Sequence, residues 1–184
     1  MVLLKIVEAS EPAMAAAWLE ALPRTGGEWL EDVLALELSV EARTNLAIAL
    51  RRLEGPRAQE QLLAQLEDEA DPVRIEAARS LASRERSPEL EKALLNQLGT
   101  LEPARDESQR AYAAELVRSL GILGAASAVS EILVHAQSAD AGLRLEVVRA
   151  MERIDPTHAD FVALLPELAK DSDPRIARRA EALR

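Results

Sequence analysis

The chain has 184 residues, 48% of them hydrophobic, 2% aromatic and none cysteine. That length suits one domain, or two small ones, burying about 70% of the unfolded surface. The Ala/Leu/Val-rich mixture favours packed helices over a sheet. The lack of cysteine excludes disulfides and thiolate chemistry and leaves the cytoplasm as the expected location. A formal charge of −10, from 22 basic and 32 acidic residues, opposes a main affinity for nucleic-acid phosphates or an anionic membrane surface.

At the N-terminus, Met1 to Val7 is apolar but short. It has no basic stretch ahead of it and no small-residue cleavage site, so it does not read as a signal peptide. The longest uncharged run, Ser119 to Ser130, is shorter than the roughly 18 residues of a spanning helix.

Two apolar patterns alternate along the chain. The first is an apolar pair followed three positions later by a third residue: Leu3-Leu4 with Val7, Leu62-Leu63 with Leu66, Leu94-Leu95 with Leu98, Ile132-Leu133 with Ala136, and Leu164-Leu165 with Leu168, with Val33-Leu34 flanked by Leu30 and Leu38. These predict the first helix of each unit. The second pattern sets core residues at offsets 0, +4 and +8: Met14, Trp18, Leu22; Ala42, Leu46, Leu50; Val73, Ala77, Leu81; Tyr112, Leu116, Leu120; Leu143, Val147, Met151. These predict the second helices. The last copy, Ile176, Ala180 and Leu183, is one position out of register, as a terminal unit allows.

The turns explain why each unit is two helices and not one. An acidic residue precedes Pro in Glu11-Pro12, Asp71-Pro72 and Asp173-Pro174. Asp caps the new helix, and Pro suits its first position, where the amide would be unpaired anyway. Pro also biases the preceding residue away from the helical region, so the first helix stops. Two joins are irregular, Pro23 to Gly27 and the polar, Pro-containing stretch Gly99 to Ser108.

The Asp71-Pro72-Val73-Arg74 start with Ala77 and Leu81 following resembles a HEAT repeat of the short kind found in phycobilin-lyase-like proteins. The resemblance spans the chain and implies an all-α fold, an α-solenoid of about six antiparallel helix pairs in a HEAT-like superhelix. It makes residues 1–184 one repeat domain, with units at approximately 1–23, 27–54, 56–85, 87–121, 125–154 and 157–184. In such folds an Arg early in the second helix and an Asp at the inter-helix turn form a ladder between units. By position this implies Arg43, Arg74 and Arg144, with Asp71 and Asp140 as partners. The fourth unit breaks the pattern with Ala113.

At 100° per residue, offsets +3, +6 and +10 of the second helices point away from the 0, +4, +8 core. The resemblance makes that face the concave one. It carries Glu76 with Arg79, Glu115 with Arg118 and Glu146 with Arg149. Arg52 and Arg153 share offset +10, and the last unit reverses the order as Arg178 and Glu181. Six arginines against four glutamates give the face a net +2. This predicts an Arg-bearing groove suited to a protein or peptide partner with acidic segments, because Arg offers forked donors to carboxylates. The competing reading is Glu–Arg pairing within each helix, at about 0.2 to 0.5 kcal/mol per pair.

Chemical sites are sparse. His135 and His158 fall in different units without metal-ligand spacing, and there is no Gly-rich phosphate loop or nucleophile triad. Catalytic residues, cofactors and metals are therefore not expected, and a protein-interaction scaffold is the leading reading. The alternatives are a bilin-lyase-like or other HEAT-fold enzyme, or a nucleic-acid binder. A diiron hydroxylase of this fold would need paired His-Glu dipeptides, which are absent. Tyr112 and Phe161 read as core. Trp29 after Gly26-Gly27, and the apolar first helix with Leu4 and Val7, leave a partner contact open. A monomer is expected, with a dimer through the first helix as the alternative.

Overall fold

The computed structural model describes Leu30, Leu34 and residues 37–101 and 106–184. The expectations for the first helix, Trp18, Trp29 and the Pro23 to Gly27 join lie outside the described residues. Among those described, nine α-helices have both ends defined and no strand occurs. They are α1 (Val40–Leu50), α2 (Pro56–Gln65), α3 (Asp71–Leu81), α4 (Pro88–Gly99), α5 (Glu107–Leu123), α6 (Val129–Val134), α7 (Ala141–Ile154), α8 (Ala159–Leu168) and α9 (Pro174–Ala182). The chain divides into two compact units, the first ending at Glu85 and the second running Arg86–Arg184.

The helices start where local chemistry stops the backbone from continuing. Ser39, Ser87, Asp106, Asp140 and Asp173 each accept an amide hydrogen bond from the first turn of the helix they precede, a cap worth about 1 kcal/mol. Asp71 departs from its predicted role. The N-cap of α3 is Ala70, and Asp71 is its first helical residue, because the Asp71 carboxylate turns to Arg74 three residues on. Helix α5 ends on Gly124 at φ 64°, where the amides of Gly124 and Ala125 bond back to Gly121 and Leu120 at 3.2 and 3.0 Å. Only a residue without Cβ takes that left-handed turn cheaply.

In unit 1, α3 packs on both α1 and α2. In unit 2, α5 packs on α4 and α7, and α9 on α7 and α8. The second helices therefore stack on one another inside each unit. Ala42, Leu46 and Leu50, Val73, Ala77 and Leu81, Tyr112, Leu116 and Leu120, and Leu143, Val147 and Met151 are all buried. Each large member of those rows contributes about 1.5 to 3 kcal/mol on leaving water. Burial also reaches offsets +5 and +7, including Ala78, Ser80, Val117, Ser119, Val148 and Ala150. The second helices are thus covered on two sides. Where α5 meets α7, a Cβ built on Gly121 would lie 2.7 Å from Ala150 Cα, so these two backbones touch without an intervening side chain.

Candidate binding face

The Glu–Arg pairs of the second helices form as three-residue steps. Arg79 Nη1 lies 2.8 Å from Glu76 Oε2, Arg118 Nη1 2.9 Å from Glu115 Oε1, and Arg149 Nη1 2.5 Å from Glu146 Oε1. Their setting differs from the expected solvated face. Glu76 and Glu115 are only 7% and 8% exposed. The reason is visible in unit 1, where α1 lies against this side of α3 and accepts a buried hydrogen bond at the Ala47 carbonyl from Ser80 Oγ, at 3.0 Å. A helical wheel drawn from one pair of helices does not contain the neighbouring second helix. The arginines stay at the surface, with side-chain exposures of 41%, 41% and 37% for Arg79, Arg118 and Arg149. The carboxylates are anchors and the guanidinium groups are what solvent meets.

Arg52, Arg153 and Arg178 are exposed. The predicted coupling of Arg178 with Glu181 does not form. Glu181 holds Arg184 at 2.9 Å, and the neighbouring Arg179 crosses to Glu152 of α7 at 2.5 Å. The same bridge occurs in unit 1 with the charges exchanged, from Arg51 at the end of α1 to Glu76 of α3 at 3.6 Å. Both join offset +9 of one second helix to offset +3 of the next.

Asp71 pairs with Arg74, but within one helix, and the rungs that form between helix pairs, at Arg43 and Arg144, use acids other than Asp71 and Asp140. Arg43 holds Asp68 through Nε and Nη2 at 2.7 and 3.0 Å. Arg144 holds Asp171 in the same fork at 2.7 and 2.8 Å. The third nitrogen of each returns to its own turn, Arg43 to the Leu38 carbonyl at 2.9 Å and Arg144 to the Ser138 carbonyl at 2.7 Å. Asp140, one of the expected partners, instead caps α7 through the Leu143 amide at 2.7 Å. The working acid sits two residues before the helix cap. Its carboxylate also accepts the amide two residues on, Asp68 from Ala70 at 2.9 Å and Asp171 from Asp173 at 2.8 Å. In the turn before α7 that position is Ser138, whose hydroxyl takes the Asp140 amide at 3.2 Å. It belongs to the rung whose arginine is replaced by Ala113. Where the cation is missing, the acid is missing too, which spares the turn an uncompensated charge.

These contacts set the titration. The Arg144 fork, against the opposing effect of burial and with help from the Asp173 amide, holds Asp171 below the ordinary carboxylate range. Burial pushes Asp68 up, but the Arg43 fork and the Ala70 amide outweigh it and its net shift is downward. Asp173 is lowered to about 2 by the Arg175 guanidinium and by the Arg175 amide. An open cavity of about 610 Å³ lies beside the Arg144–Asp171 pair, walled by Ser138, Leu164, Pro166 and Lys170 among others.

His135 is 3% exposed, and neither it nor half-buried His158 has a hydrogen bond to its buried Nδ1. Burial lowers the His135 pKa. Among the described residues, no three His, Asp or Glu side chains are grouped so as to hold a metal ion, and no helix is long and apolar enough to cross a membrane.

No family model matches the chain, and a search of curated proteins gives no significant match. A fold likeness does exist. The crystal structure of an engineered protein from the Northeast Structural Genomics Consortium is similar at a TM-score of 0.60 and 19% identity, over 97% of this chain and 92% of that one. At that identity the likeness speaks for the all-helical fold alone.

Proposed function

We propose that the chain is an α-solenoid scaffold of HEAT-like repeats, and that the shared face of its second helices binds a protein or peptide partner bearing carboxylates. The reading rests on one observation. Along α5 and α7, which pack directly on each other, Arg118 and Arg149 stand at the same offset, each fixed by a glutamate of its own helix and each with over a third of its side chain in solvent. A guanidinium has five N–H donors in a rigid fork, and a single bond to an anchoring glutamate orients that fork while leaving donors over. Orienting the side chain beforehand lowers the entropy lost when a partner docks. Arg79 on α3 pairs with Glu76 at the same offsets in unit 1. On this reading the chain is not an enzyme and carries no cofactor.

The test is capture from a host lysate by the wild-type chain and by the triple variant Arg79→Glu, Arg118→Glu, Arg149→Glu, with circular dichroism to verify that the variant is folded. Loss of the captured partner in a folded variant supports the face. Undiminished capture removes it. A milder Arg→Gln triple serves if the glutamate version unfolds.

A further inference from the structure

Three large apolar side chains are exposed among the described residues of unit 2: Val134 on α6, Val162 on α8 and Ile122 on α5. The valines stand on first helices. Ile122, 44% exposed, stands at offset +10 of a second helix, the position that Arg153 holds on α7. A lone exposed apolar residue is ordinary on a protein surface. This one lies among the arginines of the proposed binding face.

The contact between α5 and α7 sets that neighbourhood. A Cβ on Gly121 would lie 2.7 Å from Ala150 Cα, so Gly121 marks the side of α5 that faces α7, and Ala150 the side of α7 that faces α5. The chain returns between the two through α6, which leaves both helices running in one direction. At about 100° per residue, Arg118 and Ile122 turn about 60° and about 100° from the line of contact, and Arg153 and Arg149 turn by the same amounts toward the same side. No side chain separates the backbones at this point, so the two rows come close together, Arg118 with Ile122 on α5 and Arg149 with Arg153 on α7.

The acids around this spot are already engaged. Glu115 and Glu146 hold Arg118 and Arg149, and their side chains are 8% and 15% exposed. Glu152 pairs with Arg179 of α9. Asp155 accepts the amide and the hydroxyl of Thr157 at 2.9 and 2.7 Å. Arg153 is exposed and forms no ion pair among the described residues. Depth therefore sorts the charges, with carboxylates sheltered and three guanidinium groups in solvent around one aliphatic side chain. Exposed ion pairs alone contribute little to affinity. An apolar contact that excludes water at the centre, rimmed by charges that select the partner, contributes much more.

We propose that Ile122 is the apolar anchor point of the binding face, covered by a large aliphatic side chain of a partner segment whose flanking carboxylates meet Arg118, Arg149 and Arg153. The inference rests on the reading of the second-helix face as a docking surface, and it makes the partner segment amphipathic as well as acidic.

The experiment titrates the full chain into a fluorescein-labelled peptide with a leucine pair between two triglutamate blocks, followed by fluorescence anisotropy. The same peptide with serine in place of leucine is the comparison. The wild type is expected to bind the leucine peptide saturably and the serine peptide at least about fivefold more weakly. Ile122→Ser is expected to lose that preference, and Ile122→Leu to keep it. Val134→Ser, which removes an exposed apolar side chain from α6, is expected to bind like the wild type. Circular dichroism verifies folding, and the two peptides compared on Ile122→Leu and wild type carry the test if Ile122→Ser unfolds. Wild type that binds neither peptide, an Ile122→Ser variant that holds the leucine peptide within a factor of two of wild type, or an equal loss in Val134→Ser would each overturn the proposal. So would a thymidine oligonucleotide that binds through these arginines more tightly than the leucine peptide. Lysate capture that depends on the arginines and is indifferent to Ile122 removes the anchor and leaves the docking face. Capture indifferent to both removes the face.

Discussion

Arg144 and Asp171 are joined by two parallel hydrogen bonds of 2.7 and 2.8 Å across the turns that begin α7 and α9, with side-chain exposures of 13% and 8%. A pair this enclosed behaves differently from a surface ion pair, because removing one member strands the other away from water.

Arg144→Met is accordingly expected to cost about 3 kcal/mol, read as a shift in urea midpoint at constant slope. The pair also sets an acid limit. The folded pKa of Asp171 lies below its unfolded value, so its contribution is complete above pH about 4 and is lost as pH falls through the folded pKa. Asp171→Asn is expected to flatten that part of the stability-versus-pH curve.

The missing rung at Ala113 and Ser138 can be installed. Ser138→Asp alone places a carboxylate in a turn without its cation and is expected to destabilise by about 1 to 3 kcal/mol. Adding Ala113→Arg is expected to recover most of the loss. A double-mutant cycle in urea measures the coupling, and additive effects would show that the register of the ladder does not extend through this unit.

Two glycines of unit 2 are expected to respond in opposite directions. Gly121→Ala drives a methyl group into Ala150, 2.8 Å from its Cβ, and forces α5 and α7 apart at about 1 to 3 kcal/mol. Gly99, the last residue of α4, has open space around its missing Cβ and no positive φ, so Gly99→Ala is expected to stabilise by about 0.5 to 1 kcal/mol. Thermal melts of both separate packing from backbone entropy.

His135 makes a separate pH prediction. Burial lowers its folded pKa, so below about pH 6.5 the unfolded chain binds a proton that the folded chain refuses. Stability is expected to fall with pH in this range, with a slope of at most about 1.4 kcal/mol per pH unit. His135→Gln is expected to remove that slope between pH 5 and 7.

The helices and their buried rows were legible because a 3.6-residue period and a cap leave marks in a single stretch of chain. Val73, Ala77 and Leu81 announce themselves without reference to any other element. The ladder was half legible. Arg43 and Arg144 follow from their place in the second helix, but their acids do not follow from proximity to proline. The usable signal was the spacing of Asp68 to Ala70 and Asp171 to Asp173, an acid whose side chain bonds the amide two residues on. The burial of Glu76 carried no such mark, because it depends on α1, a second helix arriving from a different pair.

The exchanged bridges, Arg51 to Glu76 and Glu152 to Arg179, carry a consequence for assembly. Repeats with nearly interchangeable apolar rows can stack in the wrong sequence during folding, or between two chains. Docking α3 onto α7 would set Glu152 against Glu76, and docking α9 onto α1 would set Arg51 against Arg179, like charges at a half-covered seam in both cases. The two polarities act as a lock and a reversed lock, so the order of the helices is written in their charge as well as in the chain that connects them.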